Sequence, residues 1–154
     1  MSEQPSDQQD APQQQVAIQG IYLKDVSFEA PNGPFSLQGQ PQVEINLGLN
    51  TTQKSDNVHE VLLSVTVTAK LNDQTAFLAE VHQGGLFAVQ GFSKEELGPV
   101  LGIYCPNTLF PFAREAVASL VAKGGFPSLM IEPVNFEAMY FQHLQQQGQA
   151  AGNA

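Results

Sequence analysis

From Val58 to Leu71 apolar and polar residues alternate almost without fault. Val61, Leu63, Val65, Val67, Ala69 and Leu71 occupy one parity, and Glu60, Ser64, Thr66, Thr68 and Lys70 the other. Successive side chains of a strand point to opposite faces, so this period predicts a strand with one packed and one wetter face. Residues 43–49 repeat the pattern, with Val43, Ile45, Leu47 and Leu49 opposed by Glu44, Asn46 and Gly48. The run 16–29 predicts a third, longer strand with a less regular pattern. There Tyr22, Val26 and Phe28 share a parity that Lys24 interrupts, while Ile21 and Leu23 precede Asp25, Ser27 and Glu29 on the other. Pro31-Asn32-Gly33-Pro34 closes it.

Asn72-Asp73 predicts a short hairpin turn into a further strand over 75–83. Phe77, Ala79 and Val81 line one of its faces; Ala76, Leu78, Glu80 and His82 line the other, and neither is plainly a solvent face. Gly84-Gly85 predicts a bulge or bend before 86–90 continues. After Pro106 the period becomes helical, with Leu109, Phe112, Ala113, Ala116, Val117, Leu120 and Val121 on one stripe. Asn107 or Thr108 is the expected cap, Pro111 belongs in the first turn, and Lys123 with Gly124-Gly125 ends the helix. A second helix is expected with Asn135 as its N-cap, Phe136, Met139, Tyr140 and Leu144 along one side and Glu137 near its start. Strands followed by helices predict an α+β fold, a four-stranded antiparallel meander or Greek-key-like sheet with two helices after it. Both ends are poor in apolar residues, so a disordered tail over 1–15, one domain over 16–147 and a flexible tail over 148–154 are expected.

Charge narrows the partners. Six Lys and Arg stand against fifteen Asp and Glu, a formal charge of −9, and Arg114 is the sole arginine. Little is available to neutralise a phosphate backbone, so nucleic acid and anionic membranes are poor partners, whereas basic partners are favoured. Cys105 is the lone cysteine and the opening MSEQPSDQQD has no apolar core, so a cytoplasmic protein is expected. No apolar run approaches the roughly 18 residues of a membrane span, and no direct membrane insertion is expected.

Catalytic and cofactor chemistry finds little support. His59, His82 and His143 fall on different elements without metal-ligand spacing, so no metal is expected. Gly84-Gly85 and Gly124-Gly125 lack the context that cradles phosphate. Cys105 has Pro106 beside it and no nearby base, and the carboxylate pairs Asp25 with Glu29 and Glu95 with Glu96 lie in wet segments. The chain reads as a binding protein without enzymatic activity or cofactor. A fixed-complex assembly protein and a small hydrolase using Cys105 or a carboxylate pair stay open as other readings.

Four blocks carry a family resemblance: residues 21–32 (IYLKDVSFEAPN), 75–85 (TAFLAEVHQGG), 104–115 (YCPN and LFPFARE around Thr108) and 133–136 (PVNF). In these blocks the chain resembles the SecB protein-export chaperones of proteobacteria. The resemblance implies a homotetramer, a dimer of dimers, with helices sandwiched between sheets. It also implies a function: binding unfolded preproteins in the cytosol without ATP, keeping them translocation-competent and delivering them to the SecA motor. Recruitment of such a chaperone to control a toxin is a related reading.

By the same resemblance, docking to the basic zinc-binding tail of SecA falls on Asp25, Glu29, Leu78 and Glu80. The client groove falls on Val43, Ile45, Leu47, Phe136, Met139 and Tyr140, each of which also reads as core. Tetramerisation would cover the apolar excess of the last strand (Phe77, Ala79, Val81, Gln83) and of the first helix (Phe112, Ala116, Leu120). Ala79 stands where relatives often carry cysteine. The uncharged C-terminal tail departs from the acidic tails of many relatives.

Overall fold

A computed structural model describes residues 13–34 and 39–152. Four strands come first: β1 (Gln15–Glu29), β2 (Gln42–Ser55), β3 (Val58–Leu71) and β4 (Gln74–Gln90). They form one antiparallel sheet in the order β1-β4-β3-β2. Consecutive hairpins join β2, β3 and β4, and β1 returns beside β4, the Greek-key-like arrangement expected. Asn72 and Asp73 both take positive φ, 50° and 64°. That is the backbone a two-residue hairpin needs, and Asn and Asp tolerate it best after glycine.

The inner face of the sheet is the alternating face of β3. Val61, Leu63, Val65, Val67 and Ala69 are essentially inaccessible, beside Phe77, Ala79, Val81, Phe87 and Val89 of β4. Helix α2 (Cys105–Lys123) covers these two central strands with Leu109, Ala113, Val117 and Val121. Each such side chain, fully buried, contributes roughly 1.5–3 kcal/mol for the larger aliphatics. Helix α3 (Phe136–Gly152) follows and is tied to α2 by Phe136, whose ring meets Phe110 edge-on at 5.9 Å.

Strand β1 explains its own irregular pattern. Its register with β4 slips between Ile18 and Gly20 and again between Leu23 and Asp25. Each extra residue, Gln19 and Lys24, flips the parity of the residues after it. The inner face therefore reads Val16, Ile18, then Ile21, Leu23, then Val26, Phe28, opposite Val89, Phe87, Gly85, Gln83, Val81 and Ala79. A bulge at Gly84-Gly85 was expected; instead both glycines are paired on each side, with Tyr22 and Ile21 of β1 and with Leu62 and Val61 of β3, and the register shifts lie in β1 on either side of them. They are needed for close approach, since a Cβ on Gly84 would lie 2.5 Å from the Tyr22 ring and one on Gly85 2.7 Å from that of Phe87.

The first helix also begins earlier than expected. A short helix α1 (Lys94–Pro99) and a π-helical turn, Val100–Tyr104, lead without interruption into α2. The cap is Ser93, whose Oγ accepts from the Glu96 amide at 3.2 Å, rather than Asn107 or Thr108. Thr108 instead donates back to the Tyr104 carbonyl. The π turn ends just before Pro106, whose ring would press on the Gly102 carbonyl in an ordinary α-helix. Pro111 lies inside α2, not in its first turn.

The helix ends as expected: the Gly125 amide reaches the Ala122 carbonyl and the Phe126 amide the Val121 carbonyl, with Gly125 at φ 84°. Asn135 caps α3, its Oδ1 accepting from the Ala138 amide at 2.9 Å. That helix runs to Gly152, into the segment expected as a tail, because Gln and Ala are good helix formers even without an apolar face. Of the tail expected over 1–15, residues 1–12 lie outside the described residues, and Gln15 already opens β1.

Candidate functional site

Because α2 lies over the two central strands, the inner faces of both edge strands stay partly open: Val16, Ile21, Phe28 and Leu47 pack against the core, and the other inner-face apolar residues are exposed. On β2, Val43, Ile45 and Leu49 are exposed by 42, 37 and 45 % although they point to the core side of the sheet. Alternation alone could not reveal this, because it reports a face and not whether anything covers it. The opposite bank is α3, with Met139 exposed, Tyr140 half-buried and Phe136 buried. Between them lies a cleft of about 340 Å³ bounded by Leu49, Leu63, Gly102, Phe136, Met139 and Tyr140, with His143 at its rim. A second hollow of about 180 Å³ at the other end of β2 is bounded by Val43, Phe77, Phe126 and Leu129.

The structure thus brings Phe136, Met139 and Tyr140 into one cleft and places Val43 in the other hollow, with Ile45 and half-buried Leu47 on the strand between them. Leu49, of the same parity, was missed although the same alternation marks it. Gly102 was missed too. A Cβ there would lie 2.5 Å from Tyr140 Cδ2, so the glycine lets the ring sit against the π turn. As an edge strand, β2 also offers unpaired backbone groups to an extended chain.

The outer face of the sheet carries the acidic residues. Asp25 pairs with His82, Ser27 with Glu80, and Glu29 with Leu78, so Asp25, Glu29, Leu78 and Glu80 form one patch on two adjacent strands. His82 Nε2 lies 2.8 Å from Glu80 Oε1. Farther along, Glu60 of β3 is almost covered. Tyr22 donates its phenol proton to one carboxylate oxygen and Lys24 Nζ lies 2.8 Å from the other, with Lys54 Nζ at 3.9 Å. The hydrogen bonds from Lys24 and Tyr22 hold the Glu60 carboxyl below the usual range. Burial and the bond to Glu60 push the Tyr22 hydroxyl up to about 12.

Burial within the protomer bears on two further groups of residues. Phe77, Ala79, Val81, Gln83 and Ala116 are already covered within one protomer. The two faces of β4 differ: the inner one lies under α2, whereas Leu78, Glu80 and His82 on the outer one are half-buried. Of the residues expected at a subunit interface, only Phe112, 48 % exposed, and half-buried Leu120 present surface. Cys105 is buried and its thiol is pushed up to about 12 by that burial, so it is a packed side chain and not a poised nucleophile. Among the described residues no three His, Cys, Asp or Glu gather as a metal site, and no helix is long and apolar enough to cross a membrane.

An apolar cleft beside an open strand edge is the geometry in which an extended polypeptide can be bound. The family model for preprotein translocase subunit SecB matches residues 8–147. The protein-export protein SecB of Nitrosococcus oceani is 57 % identical over 161 residues, spanning 100 % of this chain and 98 % of that one. That of Methylococcus capsulatus is 51 % identical over 148 residues, spanning 95 % and 96 %. The chain belongs to the SecB family. Among solved structures it is similar to a Mycobacterium tuberculosis SecB-like chaperone in complex with a ChAD peptide from the HigA1 antitoxin, at 22 % identity and a TM-score of 0.61. That match spans 77 % of this chain and 90 % of the other, and it shows the shared fold.

Proposed function

We propose that this chain is an ATP-independent cytosolic chaperone that binds unfolded preproteins along β2 and α3, keeps them translocation-competent and delivers them to SecA. The observation that carries the reading is the uncovered inner face of β2, with Leu49, Met139 and Tyr140 at an open cleft. An exposed apolar face of this kind marks an interaction surface. Burying about four client side chains there gives roughly 6–12 kcal/mol gross. Ordering the client removes several kcal/mol of that, so several groove segments must be engaged together for tight binding.

Two finer points belong to the same proposal. The acidic patch of Asp25, Glu29 and Glu80, with Leu78 among them, suits the basic zinc-binding tail of SecA. The apolar side chains left open elsewhere, Ile18, Leu23 and Val26 on β1 and Phe112 on α2, support burial in a homotetramer. The deciding experiment dilutes a non-folding preprotein into buffer with and without the protein, in the absence of nucleotide. Suppressed aggregation, and a native mass of four chains plus one client, is expected. Aggregation at the unassisted rate would refute the proposal.

A further inference from the structure

The second bulge of β1 sits directly against the acidic patch and is gripped from both sides of the sheet. On the inner side, the buried Gln83 side chain donates to the Tyr22 carbonyl at 3.0 Å. Tyr22 stands two residues before Lys24, so this bond ties down the backbone that leads into the register shift. On the outer side the Tyr22 ring lies across Gly84 of β4, and its hydroxyl reaches Glu60 on β3, two strands away. Lys24, the extra residue of the bulge, reaches the same carboxylate at 2.8 Å. Only a glycine at 84 leaves room for that crossing.

Asp25 follows the bulge immediately, and its place opposite His82 depends on Lys24 staying out of the ladder. We propose that Tyr22, Lys24, Glu60 and Gln83 are positioning residues that clamp this bulge and so hold Asp25 and Glu29 on the docking face. The inference rests on the docking role proposed above for that face. The clamp gives Lys24 a role opposite to the one its charge alone would have. Simple electrostatics makes Lys24 an unfavourable neighbour for a basic partner, so removing it should tighten binding. The clamp requires that removing it weakens binding.

The test measures binding of the SecA tail peptide by calorimetry and hydrogen exchange across residues 20–29, on the full-length protein carrying Lys24→Met or Lys24→Arg. Faster exchange and roughly tenfold weaker binding are expected for Lys24→Met, with recovery of both in Lys24→Arg and unaltered holding of an unfolded client. Unchanged exchange across 20–29 overturns the clamp. Faster exchange with equal or tighter tail binding overturns its positioning role. Should Lys24→Met not fold, Tyr22→Phe removes a single hydroxyl and is read the same way. A paired Asp25→Ala, Glu29→Ala variant that binds the tail normally would show that the docking face itself is misassigned, and the clamp then stands or falls on the exchange alone.

Discussion

Tyr140 of α3 rests its ring on Gly102, so closely that a Cβ on the glycine would come within 2.5 Å of Cδ2. The contact fixes the distance between α3 and the rest of the protomer, and hence the width of the cleft that Leu49 and Met139 border. Gly102→Ala should push Tyr140 away and cost about 1–3 kcal/mol of stability, the usual range for overpacking. Urea unfolding reads the loss, and client affinity measured beside it should change as well, because the cleft is reshaped. A variant with unaltered stability and affinity would mean that the ring has somewhere else to go.

The groove itself can be separated from the core by exposure. Leu49 and Met139 are 45 and 42 % exposed, whereas Phe136 is 3 % exposed. Leu49→Ser with Met139→Ser should therefore weaken client binding by roughly ten- to a hundredfold, the loss of two partly desolvated apolar contacts. The urea midpoint should move little. Phe136→Ala should behave in the opposite way and cost about 3–5 kcal/mol of stability, as for an aromatic core residue.

Docking through the acidic patch makes a different demand. Asp25→Ala with Glu29→Ala should weaken binding of the SecA tail while leaving oligomeric state and client holding intact. The difference from the parent should shrink as salt is raised, since exposed charges act through a screened field. Calorimetry at low and high salt reads both effects, and equal affinities at low salt would remove the patch from the docking role.

Each sequence signal was legible only as far as the property it reports. The alternation in β3 located the core because β3 is central and regularly paired. In β1 the alternation failed at Lys24, and that failure was itself the signal of a bulge. The glycines of β4 suggested a bulge in the wrong strand, since a small residue marks close approach as readily as irregular backbone. Ser93-Lys94-Glu95-Glu96 carries the spacing of a capping box, yet Pro99 and Pro106 hid the helix it starts. The groove was only half legible, because Val43, Ile45, Leu49 and Phe136 share an inward direction and differ solely in what lies above them.

The Glu60 carboxylate supplies a pH dependence whose sign is fixed by its partners. Lys24 and Tyr22 lower its folded-state value below the ordinary 4.5. Its contribution to stability is therefore complete above the unfolded value and disappears as pH falls through the lower folded one. Glu60→Gln keeps the shape and removes the charge, so the parent should be the more stable of the two near neutrality. The gap should narrow as pH drops below about 4.5, because the parent then protonates toward the same neutral state. Urea midpoints of both proteins between neutral pH and pH 3 or so provide the measurement. A gap that stays constant across that range would show that Glu60 is not held ionised by Lys24 and Tyr22.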